Sequence, residues 1–142
     1  WVVAGAWCYL LVPIGGILAA IAIPAYQDYV TRAQLIQSVS MIQSLEAQTA
    51  NYHQVNGKWP ASLQDIGTPQ PADKGIIEAI DFDNDGTIHA SFRGSVWVRG
   101  KSLSMSPVTD ANGEMTWNCS TDLPRRFLPL SMRDSCAEAV SQ

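Results

Sequence analysis

The sequence predicts an α+β fold: a long, bent N-terminal α-helix packed on a four-stranded antiparallel β-sheet, followed by a disulfide-bounded C-terminal loop. Three observations predict it. No charged residue occurs before Asp28, and Trp1–Gln27 is dominated by apolar and small residues. From Asp28 to Asn56, apolar residues recur at spacings of three and four. Between Ile76 and Cys119, short stretches alternate between apolar and polar residues.

The apolar opening would form a helix about 39 Å long over Trp1–Tyr26, enough for the roughly 30 Å hydrocarbon layer. A helix satisfies its own backbone groups, which lipid cannot do, so residues 1–27 are expected to reside in a membrane. Pro13, Gly15, Gly16 and Pro24 weaken this helix and predict bends near Gly15 and Pro24. Gly16 and Ala20 are small residues four apart, a spacing that lets helices approach closely.

The remaining residues, 28–142, allow one small globular head with a single core. Its helical part ends at Asn56-Gly57. Leu35, Val39, Ile42, Leu45, Thr49 and Tyr52 share one face and predict the surface that meets the sheet. Residues 57–75 form a turn-rich connection with room for one short helical turn near Trp59–Gly67, and Thr68–Gly75 is expected to be exposed.

The sheet occupies residues 76–119. Ile76–Phe82 is the first expected strand. Thr87–Phe92 points Ile88, Ala90 and Phe92 inward and Thr87, His89 and Ser91 outward. Lys101–Pro107 points Leu103 and Met105 inward, and Glu114–Cys119 points Met115, Trp117 and Cys119 inward. Such alternation fits an antiparallel sheet covered on one face. Asp85-Gly86 and Asn112-Gly113 are hairpin-turn dipeptides.

Of the three cysteines, Cys8 lies in the apolar segment, while Cys119 and Cys136 lie near the C-terminus. No histidine neighbours the latter two, so a disulfide is a better reading than zinc, and it implies an oxidising compartment. Net charge is −4 with no basic tract, which argues against a broad nucleic-acid or anionic-membrane footprint. The chain does not begin with Met, so a processed or truncated product is expected, and with no basic n-region before the apolar run none of it is expected to be a secretory signal peptide.

G-I-L-A-A-I-A-I-P-A-Y-Q-D-Y-V at Gly16–Val30, followed by T-R-A-Q at Thr31–Gln34, resembles the N-terminal helix of bacterial type IV pilins. The ending resembles that family too, from Gly113–Cys119 through Phe127-Leu128-Pro129 to Cys136. The resemblance implies a helix that is first a membrane anchor and then a filament core, and a last-strand cysteine bridged from the C-terminal loop. It implies a surface pilus serving adhesion, motility or DNA uptake, with an inner-membrane pool before assembly. Its partners would be copies of itself and the pilus assembly machinery. Gly16, Ile17, Ala20, Ile21 and Pro24 would carry helix packing, and Cys119 with Cys136 would staple the head. Aligned on Gly16 and Pro24, this sequence departs from the family by having Val3 where an aromatic is usual and Trp7 where Glu is usual. That departure opens an alternative: a minor subunit at a filament tip, or a non-polymerising membrane-anchored binding module.

Little in the chain suggests catalysis or a cofactor. Asp81, Asp83 and Asp85 lie in D-F-D-N-D-G, the opening of a calcium loop, but its twelfth position is Phe92 and strands flank it, so a solvated hairpin tip is the expectation. His53 and His89 read as surface histidines, and no nucleophile or phosphate-loop motif occurs. Arg125, Arg126 and Arg133 read either as a solvated loop paired with Asp122 and Asp134 or as a contact for DNA or a surface ligand. Trp97, in G-S-V-W-V-R-G, either extends the second strand or stands as an exposed contact aromatic.

Overall fold

The computed structural model describes the backbone of residues 2–71 and 75–138, and side chains within these except at 2–4, 6–12, 137 and 138. The chain divides into two compact units, Trp1–Ala33 and Gln34–Gln142, and helix α1 (Val2–Asn56) contributes to both. Pro13 and Pro24 lie within this uninterrupted helix. Among the described residues, no helix is long and apolar enough to cross a membrane. The membrane-span expectation for 1–27 draws heavily on Trp1–Val12, whose side chains, Cys8 included, lie outside the described residues.

The second unit, hereafter the head, is built on the helical face expected from the spacing. Leu35, Val39, Ile42, Leu45 and Thr49 are all buried, and Tyr52 is half-buried. Gly57 ends the helix with φ +67°, its N–H bonding to the His53 carbonyl at 2.8 Å. Trp59–Gly67 forms turns rather than a helix. Asp65 Oδ2 holds them by accepting from the Ala61 and Ser62 amides at 2.8 and 3.1 Å. Pro69 and Gln70 are exposed as expected, whereas Thr68 and Pro71 are half-buried.

Strands β1 (Ile77–Phe82), β2 (Ile88–Phe92), β3 (Ser102–Thr109) and β4 (Met115–Thr121) pair antiparallel in sequence order. Ile80, Ile88, Ala90, Phe92, Leu103, Met105 and Cys119 form the inward face and join the helical stripe in one core. Met115 and Trp117 are only half-buried, since β4 runs toward the margin of that core.

Further features differ from expectation or decide between two. Beyond the four antiparallel strands, a short fifth, β5 (Cys136–Glu138), joins in parallel beside β4, with Cys136 opposite Cys119. Thr87, expected outward, is buried; its N–H donates to Asp85 Oδ1, and its hydroxyl to Ser106 Oγ at 3.1 Å. The Val96–Arg99 run turns instead of extending β2, closed by the Val98 and Arg99 amides bonding to the Ser95 carbonyl. Val98 drops into the core, leaving Val96 and Trp97 outside.

Candidate assembly surfaces

The first surface is the N-terminal stretch of α1. Ile14, Ile17, Leu18, Ile21, Ile23 and Tyr26 are all more than half exposed in the single chain. A Cβ built on Gly15 or Gly16 would meet nothing within 4 Å, so this chain's own packing does not demand their smallness. Exposed apolar surface of this extent is characteristic of sites that meet another protein or a membrane. Of the residues expected to carry packing, Gly16, Ile17, Ala20, Ile21 and Pro24 are all exposed.

The second surface lies around the disulfide. Cys119 and Cys136 are bonded, their Cα atoms 4.4 Å apart, and both are buried. Between them, a 3₁₀ turn (Arg125–Phe127) and α2 (Leu130–Arg133) anchor Phe127, Leu128 and Met132 in the core. Arg133 donates to the Leu128 carbonyl at 3.0 Å and to the Arg126 carbonyl at 3.4 Å, and Arg125 donates to the Arg133 carbonyl at 2.8 Å. These two arginines hold the loop by its main chain. Arg126 is placed differently: its guanidinium carbon sits 4.5 Å from the Trp97 ring centroid and 4.7 Å from that of Phe127. The fold thus joins two candidates from distant segments into one cation–aromatic platform.

The aspartate tip of the first hairpin is a turn device. Asp83 Oδ2 lies 2.8 Å from His89 Nε2, and His89 Nδ1 lies 2.8 Å from Ser104 Oγ. The Thr87 backbone N–H, assisted by its side chain, holds the Asp85 carboxyl below its ordinary range. Among the described residues, no group of three or more His, Cys, Asp or Glu side chains is placed to hold a metal ion. His89 is therefore tied to two partners rather than alone, and His53 stacks on Trp59 with centroids 3.9 Å apart.

Two features escaped the sequence reading. Glu46 sits beside the buried stripe, one of its carboxyl oxygens is buried without a hydrogen-bond partner, and burial raises its pKa to about 7. No pattern in the sequence marks it, because it is one more polar residue on an amphipathic helix. A groove of about 470 Å³ also runs between α1 and the connection, lined by residues such as Gln37, Met41, Pro69 and Ile76.

A family described as "Pilin (bacterial filament)" matches residues 31–133. The chain belongs to the type IV pilin family. It is 30% identical over 132 residues to "Fimbrial protein EcpC" of Eikenella corrodens, covering 89% of this chain and 86% of that one. It is 31% identical over 152 residues to "Type IV major pilin protein PilE1" of Neisseria gonorrhoeae, covering 90% and 84%. A "Fimbrial protein" of Neisseria meningitidis is 30% identical over 137 residues, covering 93% and 79%. The long helix, antiparallel sheet and C-terminal disulfide are the pilin fold expected from the resemblance.

Proposed function

We propose that this chain is the structural subunit of a type IV pilus-like filament on the bacterial cell surface, polymerising through the N-terminal part of α1. The observation that carries it is the exposed apolar row Ile14–Ile23, which the single chain leaves in water. Burying one Ile- or Leu-sized side chain is worth roughly 1.5–3 kcal/mol, so a row of them supplies a large driving force for helix-to-helix packing. In a bilayer the same row is solvated by lipid, which supports an inner-membrane pool before assembly, with the head on the outer side. The Cys119–Cys136 bond supports an oxidising surrounding for that head. The role is association, with no catalysis, and the filament would serve adhesion, motility or DNA uptake.

A second reading rests on the sequence before Asp28, which holds no acid, Trp7 standing where Glu is usual. On it the chain is a tip subunit or a non-polymerising anchored module that presents Trp97 and Arg126 to a surface ligand or DNA. Electron microscopy of surface-sheared material from expressing cells tests both. Filaments labelled along their length by an antibody to the head support the first reading. Label confined to tips or to membrane supports the second.

A further inference from the structure

Building on the filament reading, we propose that the Trp97–Arg126 platform of one head docks the acidic β1–β2 hairpin tip of a second copy of this chain. The argument starts from strand register. Strand β2 begins at the β1–β2 hairpin and ends before the Ser95–Gly100 turn, so tip and platform lie at opposite ends of the sheet. A five-residue strand separates them by about 15–20 Å. Ile88 pairs with Met105 and Leu103 with Thr121, which puts the β3–β4 hairpin at the tip end and the 3₁₀ turn at the platform end.

The charges are sorted accordingly. Asp81, Asp83, Asp85, Asp110 and Glu114 gather at the hairpin end, where Lys58, next to Trp59, is the nearby cation. Arg93, Arg99, Lys101, Arg125, Arg126 and Arg133 gather at the platform end, with Glu78, Asp122, Asp134 and, by strand register, Glu138. Among the described residues, acids outnumber cations at one end and cations outnumber acids at the other, so these residues give the two ends opposite charge.

The platform is built to receive a carboxylate. Trp97 is half exposed and Val96 three-quarters exposed, while Arg126 is held against the Trp97 and Phe127 rings. A carboxylate arriving there meets a guanidinium already ordered by stacking and flanked by apolar surface, which strengthens the pair and reduces the entropy lost on docking. The occupant follows from symmetry. Two different, complementary patches at opposite ends make a heterologous contact, which does not close a two-fold dimer and, where the rotation does not close a ring, propagates into an open helical array as the filament reading requires.

The test uses the full chain in a Cys8→Ser background. Asn84→Cys paired with Val96→Cys should give a ladder of disulfide-linked multimers on mild oxidation, which neither single variant gives. Asn84→Lys and Arg126→Glu should each lower filament yield roughly tenfold, with the double variant restoring it. No ladder, or single variants at Asn84 and Arg126 that each leave filaments unchanged, would overturn the proposal. Absence of filaments from the parent chain would instead overturn the polymer reading; the ladder from concentrated, detergent-solubilised chain still decides the contact.

Discussion

Gly86 and Trp59 occupy adjoining space: a Cβ added to Gly86 would overlap the indole of Trp59. Trp59 follows the end of α1 and stacks with His53 on that helix, while Gly86 closes the β1–β2 hairpin with φ +87°. One aromatic ring therefore ties the helix end to the sheet. Only a residue without a side chain, in a left-handed conformation, lets the ring sit there.

Gly86→Ala should then cost more than backbone strain. Gly113 provides the comparison, with φ +84° and nothing within 4 Å of an added Cβ. Gly113→Ala is expected to lose about 1–2 kcal/mol, the cost of a left-handed L-residue. Gly86→Ala should lose about 3 kcal/mol or more, because the indole must also move. Paired denaturant titrations measure the difference, and equal losses would refute the role given to Trp59.

The stability of the head should fall as pH rises through the range set by Glu46. Its folded pKa of about 7 lies above the ordinary 4.5, so folding favours the protonated carboxyl. That contribution is complete below about pH 4.5, fades toward pH 7 and is gone above it. Allowing for its partial solvent contact, the loss is about 1–2 kcal/mol. Glu46→Gln should flatten this slope and raise stability at pH 8. Melting curves of both chains at pH 5 and pH 8 check the sign.

Reducing the Cys119–Cys136 bond, or replacing both residues with serine, should destabilise the head by about 3 kcal/mol. The bond closes a loop that carries Phe127, Leu128 and Met132 into the core and sets β5 beside β4. Hydrogen exchange should speed first in that loop. Uniform loosening of the whole head would contradict this order.

Ile17→Asp and Ile21→Asp should abolish filaments and leave the head intact. Both side chains are more than 60% exposed in the single chain, so head stability should change by less than about 0.5 kcal/mol. Filament counts alongside head melting temperatures separate assembly from folding. A destabilised head would place these side chains in the core instead.

Legibility followed periodicity. Leu35, Val39, Ile42, Leu45 and Thr49 were readable as one face because a helix returns every 3.6 residues. The inward set Ile88, Ala90, Phe92, Leu103 and Met105 was readable because strands alternate. Strand β5 was not, since a pair formed by Cys136–Glu138 is too short to carry a period. The Val96–Arg99 run stayed open between a strand and an exposed aromatic because its apolar residues resemble a strand, yet only Val98 is buried.

By itself the sequence determined the long helix and the four antiparallel strands, the helix face that meets the sheet, the turn glycines and the family. Each of these is set by chemistry within a few neighbouring residues or by a motif read in one stretch. Tertiary structure alone decided that Arg126 lies over Trp97, that Gly86 makes room for Trp59, and that a Glu46 oxygen is buried without a partner. Those relationships join residues far apart in the chain or depend on what surrounds a side chain, and no local period encodes which distant surfaces close upon each other.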